Sequence, residues 1–191
     1  TKRASLGLSP GDFVVGKIAR LFELKGHDDL FAIAPRLAKR IPNIRFLLVG
    51  DGVFRGRFER LAKEIGCGQN FIFTGLVPPS EIPSLVGVMD ALVHLSRREG
   101  LPRALPQAMA AAKPVVAFDC DGAGEVCLDG KTGHLIEPGD LAKLEERLAK
   151  LANDAPLRTA LGQAGRKLVE EEFTVEQLVE RQYELYKRLV A

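Results

Sequence analysis

The chain has 191 residues, enough for one domain of ordinary size with a substantial core and no need of disulfides or a structural metal. Its 27 basic and 25 acidic residues leave a formal charge of +2 and are interspersed along the chain, which argues against a nucleic-acid or membrane-surface footprint. The three cysteines, Cys67, Cys120 and Cys127, are odd in number and form no C-x-x-C pair, so neither a disulfide framework nor a zinc site is expected, and a reducing, cytoplasmic compartment is the reading.

Residues 1–12 are polar, begin without Met, and read as a linker leading into a domain taken from a longer chain. DFVVGKIARL then reads as a strand, and Leu30, Ile33, Ala34, Leu37 and Ile41 follow at helical spacing. The pattern repeats in IRFLLVG and a helix marked by Phe54, Phe58, Leu61, Ala62 and Ile65. NFIFTG, DALVHLS, KPVVAFD and GHLIEP supply four more strands. The expectation is an α/β fold: a Rossmann-like parallel sheet of about six strands with helices on both faces, followed by C-terminal helices. Two helical stripes come next, Leu141, Leu144, Leu148 and Leu151, then Leu157, Leu161, Ala164 and Leu168, separated by Asn153, Asp154 and Pro156. Thr174 and Gln177 make a capping box for a last helix whose apolar face needs a partner. Residues 13–173 thus form the domain, and 174–191 the C-terminal helix. No apolar run reaches the ~18 residues of a membrane span.

Three stretches at the predicted carboxyl ends of strands could carry chemistry. Gly16, Arg20 and Lys25 follow the first strand, where two cations could converge on an anion such as a diphosphate. Gly50-Asp51-Gly52 follows the second, but the next glycine, Gly56, misses the G-x-G-x-x-G spacing, so a tight turn lining the cleft is as good a reading. The third is Ser96-Arg97-Arg98-Glu99-Gly100-Leu101-Pro102-Arg103, leading through Gln107 to Lys113-Pro114-Val115-Val116. Gly100 and Pro102 sit at the mouth of a helix whose free N–H groups favour phosphate, and Glu99 on the same rim suits sugar hydroxyls. His27, His94 and His134 show no metal-ligand spacing, and His94 reads as a buried or cleft-lining residue. Glu125 reads equally as a helix cap or a ligand contact, and Cys120 and Cys127 as small core residues.

In order, GKIARLFELKG, LLVGDG, FTGLVPPSEI, the Ser-x-x-Glu-Gly-x-Pro run and GAGEVCLDGKTGHLIEPGD resemble the signature of the retaining glycosyltransferases of family 4, the glycosyl transferases group 1. That family adopts the GT-B architecture of two facing Rossmann-like domains. The resemblance implies that this chain is the C-terminal, donor-binding half, acting with a nucleotide-diphosphate sugar, UDP- or GDP-linked, and with retention of anomeric configuration. It implies that Arg20 and Lys25 grip the diphosphate and Glu99 holds a hydroxyl of the transferred sugar. Gly16, Gly50, Gly52, Gly100, Leu101, Pro102 and Arg103 would line the donor pocket, with Leu76, Val77 and Pro79 beside the base. The second acidic residue of the family pattern, on the ribose hydroxyls, is Gln107 here, which keeps an acceptor and a donor but loses a charge-assisted bond.

No metal or other cofactor is expected. The acceptor, a sugar or lipid, would bind through the other domain, to which the C-terminal helix would cross. No nucleic-acid partner is expected, and peripheral contact with the inner face of the membrane is left open for the whole protein. The isolated half should turn over little or nothing. Two further readings are a non-catalytic nucleotide-sugar-binding domain, signalled by Gln107, and a GT-B nucleotide-sugar epimerase.

Overall fold

Continuous apolar runs rich in Val, Ile and Phe suit strands buried on both faces, and six of them form the sheet in the computed structural model, which describes residues 1–190. They are β1 (Phe13–Ile18), β2 (Ile44–Val49), β3 (Phe71–Phe73), β4 (Ala91–His94), β5 (Val115–Phe118) and β6 (Gly133–Ile136). The helices are α1 (Lys2–Ser5), α2 (His27–Arg40), α3 (Arg55–Glu64), α4 (Ile82–Gly87), α5 (Ala104–Ala110), α6 (Ala123–Val126), α7 (Leu141–Asn153), α8 (Ala155–Glu172) and α9 (Val175–Val190). All strand pairs are parallel, in the order β3-β2-β1-β4-β5-β6. The chain builds outward from β1, then returns to build the other half. β1 and β4 therefore flank a switch point where the loops diverge and leave a crevice at the carboxyl ends.

Side chains alternate between two cores. Phe13, Val15, Phe46, Leu48, Val93 and Phe118 point to one shared with α2, α3 and α7; Val14, Leu47, Val49, Leu92 and Ala117 point to one shared with α4, α5 and α6. On α7 the expected stripe is present, with Leu144, Leu148 and Leu151 buried. Truncating any of these to Ala would cost about 2–5 kcal/mol.

Three features depart from the sequence reading. Residues 1–12, expected as a linker, dock on the domain: Leu8 is buried in the second core, Arg3 donates to the carbonyls of Val88 (3.0 Å), Ser9 (3.1 Å) and Asp12 (2.7 Å), and Lys2 pairs with Glu81 at 2.8 Å. On α8 Leu161 of the predicted stripe is buried and Leu157 packs on the first core, but the rest of the buried face is Gly162 and Gly165. A Cβ at Gly162 would stand 2.1 Å from the Ala112 carbonyl oxygen, and one at Gly165 3.0 Å from Met109 Cγ, so α8 lies directly on α5 and the turn after it. Cys120, expected in the core, is only partly buried.

The capping box of α9 forms as expected, Gln177 N–H donating to Thr174 Oγ1 at 3.2 Å. No residue of α9 is buried, and Val175, Leu178, Val179, Tyr183, Leu185, Tyr186 and Leu189 are exposed.

Candidate functional site

Two loops are drawn together at the switch point by backbone contacts that only glycine permits. Ahead of α2, Gly26 has φ 65°, and a Cβ there would lie 2.0 Å from the Leu95 carbonyl oxygen. With the bond from Arg97 N–H to the Leu24 carbonyl (2.8 Å), this seats the Lys25 loop against the end of β4. On the other side, Ala19 N–H donates to Val49 O (3.1 Å) and Leu21 N–H to Asp51 O (3.0 Å), which fixes Arg20 between them.

The turn Gly50-Asp51-Gly52 makes that contact possible. A Cβ at Gly50 would stand 2.2 Å from Ala19 O, and one at Gly52 2.4 Å from Leu21 O. Gly52 N–H, Arg55 and Leu76 N–H hold the Asp51 carboxyl below the usual range and brace the turn.

The β4–α5 loop is fastened at three points. Arg97 donates to both carboxylate oxygens of Asp29 at 2.9 Å and lies over the Phe118 ring at 5.8 Å. Glu99 N–H donates to Asp121 Oδ2 at 2.6 Å, and Gly122 N–H to Gly100 O at 3.1 Å.

The result is one cleft of about 520 Å³ lined by Arg20, Lys25, Val77, Pro79, His94, Glu99, Pro102, Arg103 and Gln107, among others. Within it the Lys25 ammonium donates to Glu99 at 2.5 Å. The Arg20 guanidinium lies over the Phe22 ring at 5.8 Å. A second, apolar groove of about 360 Å³ runs between α4 and α5 and shares Pro79, Ile82 and Gln107 with the first. Charge therefore sits at one end of the combined crevice and an apolar channel at the other, with the Gln107 amide between them.

Several site residues of the sequence reading lie outside the cleft lining. Gly16 is in mid-strand, where a Cβ would strike Met89 Sδ at 1.9 Å, so it is a packing glycine and not a ligand contact. Gly50 and Gly52 act through the Arg20 loop. Leu76 stands beside the cleft, 85% exposed. Gly100 has open space around its Cα. Leu101 turns toward the start of α9, lining a hollow with Glu125 and Phe173. α5 begins at Ala104, later than Pro102, and Glu99 faces Lys25 and does not cap it.

Three residues under the cleft were absent from the reading of site chemistry, or read without a role in it: Lys17, His27 and Ser96. Lys17 is 1% exposed. Burial drives it down to about 7, Lys25 adding to the effect while Asp29 and Glu99 oppose it. Burial, Lys17 and Lys25 lower His94 to about 4 against Glu99, and the same three causes lower His27 to about 2. Burial works against the charge of Glu99, but the bond and charge of Lys25 outweigh it and hold the carboxyl below its ordinary range. His27 Nδ1 and Ser96 Oγ are buried without a hydrogen-bond partner among the described residues. Among those residues, no three His, Cys, Asp or Glu side chains converge as a metal-binding group.

Residues 1–168 match the family model described as glycosyl transferases group 1. The chain belongs to that family. Among curated relatives, it is 32% identical over 172 residues to a GDP-mannose-dependent alpha-(1-6)-phosphatidylinositol monomannoside mannosyltransferase of Mycolicibacterium smegmatis, covering 86% of this chain and 44% of the relative. It is 33% identical over 170 residues to the 2-deoxystreptamine glucosyltransferase of Streptomyces kanamyceticus, covering 86% and 43%. The chain thus spans less than half the length of these relatives.

Its fold is similar to that of Anabaena HepE solved with UDP, at TM-score 0.88 and 26% identity over 97% of this chain and 51% of that one. It is also similar to the separately solved C-terminal domain of a glycosyl transferase group 1 protein, LpcC of Francisella tularensis, at TM-score 0.83 and 26% identity over 91% and 92%. The architecture is the Rossmann-like C-terminal half of a GT-B fold.

Proposed function

We propose that this chain is the donor-binding half of a family 4 glycosyltransferase, which moves a sugar from a nucleotide-diphosphate donor to an acceptor with retention of configuration. One observation carries the reading: Arg20, Lys25, Glu99, Arg103 and Gln107 converge on a single cleft at the switch point of a parallel sheet. Arg20 and Lys25 hold the diphosphate and stabilise the charge that builds on it as the glycosidic bond breaks, so catalysis rests on positioning and fixed positive charge. Glu99 exchanges Lys25 for a hydroxyl of the sugar. Gln107 takes the ribose, and Val77, Pro79 and Leu76 border the base. No dedicated metal takes part, because these cations already act on the leaving group.

The donor is UDP- or GDP-linked, consistent with the UDP in the HepE structure and the GDP-mannose in the mycobacterial relative's name. In the whole protein the acceptor, a sugar or lipid, binds on the facing half, and α9 lays its apolar side there. The setting is the cytoplasm. Among the described residues no helix is long and apolar enough to cross a membrane.

The test is a melting screen of this chain with UDP-, GDP- and ADP-linked sugars. A donor that prefers the folded state raises the melting temperature, and no shift with any of them removes the reading. Gln107 favours one rival, a non-catalytic nucleotide-sugar-binding domain. Donor binding together with a whole protein that transfers nothing decides for it.

A further inference from the structure

On the loops and helices around the cleft, most cations are held by carboxylates: Arg55 by Asp51 and Glu59, Arg57 by Asp28, Arg97 by Asp29 and Lys25 by Glu99. Arg20 pairs with no carboxylate among the described residues. Its guanidinium lies instead over the ring of Phe22, 5.8 Å from the centroid and within reach of a cation–π attraction. Phe22 is 48% exposed, so the core uses little of it, yet its position is fixed. Its N–H donates to the Arg20 carbonyl at 2.9 Å, and Phe54 N–H donates to Leu21 O at 3.1 Å, which sets the Phe54 ring alongside. Phe22 stacks on Phe54 at 6.2 Å, Phe54 meets Phe58 edge-on at 6.2 Å, and Phe58 stacks on Phe31 at 5.1 Å, both of these last buried. A run of rings thus leads from the core out to a cleft cation that no carboxylate holds.

We infer that Phe22 is a positioning residue of the donor site, which holds the Arg20 guanidinium at the cleft with its N–H groups free for the diphosphate. The inference rests on the donor-binding reading above. A carboxylate would also fix the guanidinium, but by occupying donors from which a phosphate must then displace it. A ring face attracts the charge and competes only weakly for those donors. An arginine already resting on a ring also gives up less rotamer freedom when the ligand arrives. The two cations therefore wait in different ways: Lys25 is released by exchange, and Arg20 needs none.

The experiment is calorimetric titration of this chain with UDP-glucose and GDP-mannose, with a thermal melt of each variant beside it. Phe22→Leu, which stays apolar but has no ring, should melt as wild type does and bind the preferred donor about two- to fivefold more weakly. Phe22→Tyr, which keeps a ring, should bind as wild type does. In an Arg20→Met chain, where the ring has no cation to hold, Phe22→Leu should weaken binding no further. A ring-fluorinated phenylalanine at position 22 keeps the bulk but loses negative charge from the ring face, so it should bind as weakly as Phe22→Leu, and it decides the matter if Phe22→Leu does not fold. Wild-type affinity in Phe22→Leu or in the fluorinated chain overturns the inference. So does a loss in Phe22→Tyr as large as in Phe22→Leu, or an equal loss in the Arg20→Met background, where the ring would be acting without Arg20. If wild type binds neither donor, the donor-binding reading falls, and this inference with it.

Discussion

Two glycine-bearing loops sit at the carboxyl edge of the sheet, and they work in opposite ways. In the turn after β2, Gly50 and Gly52 are pressed against carbonyl oxygens of the Arg20 loop, and the turn shapes the cleft from behind. In the loop after β4, a Cβ at Gly100 would meet nothing within 4 Å, while Glu99, Pro102 and Arg103 around it line the cleft. The loop whose sequence looks more like a nucleotide-binding fingerprint is the scaffold, and the other presents the chemistry. Glycine density signals close backbone approach, and it does not say whether the neighbour is a ligand or the protein itself.

The largest expected effect tests what the first loop is there to support. Replacing Arg20 and Lys25 together with Ala in the whole protein should lower turnover by at least ~10³-fold, since loss of one preorganised charge partner costs about 10²–10³; steady-state kinetics at saturating donor measures it. Next, Gly52→Ala should destabilise the fold by about 1–3 kcal/mol, because the obstacle is backbone and cannot swing aside; denaturant melts report it.

Acid should strike the second loop through His94. Its folded value of about 4 lies below the unfolded 6.5, so the neutral form stabilises the fold fully above pH 6.5. That stability is lost as pH falls from 6.5 toward 4, on the order of 1–3 kcal/mol, and His94→Gln should flatten that limb in thermal melts. Glu99→Gln should free Lys25, so that sugar-free UDP or GDP binds a few-fold tighter while the advantage of the sugar-bearing donor disappears. Equal losses for both would make Glu99 a fastening of the loop and nothing more. Smallest of all, Gly100→Ala should change stability by less than about 0.5 kcal/mol, in direct contrast with Gly52→Ala.

The strands and the cleft's cations were legible in the sequence for physical reasons. Strands of a parallel sheet are buried on both faces and read as unbroken apolar runs, and Arg20, Lys25 and Glu99 follow their strands closely enough that the switch point collects them. Lys17 was illegible because a lysine in a strand looks like an outward-facing residue until the sheet is known to be covered on both sides. Leu161 of α8 was legible, but the rest of its buried face was not, because periodicity weights large side chains, and Gly162 and Gly165 pack by having none. Residues 1–12 escaped because Arg3 docks them through backbone carbonyls that no side-chain pattern encodes.

The glycine seat of α8 has a mechanical meaning. With glycine at these two positions, α8 is seated against the Met109 side chain and the Ala112 carbonyl, at the end of the helix that carries Gln107. Close-packed interiors transmit strain, so added bulk at Gly162 or Gly165 is expected to displace α5 as well as α8.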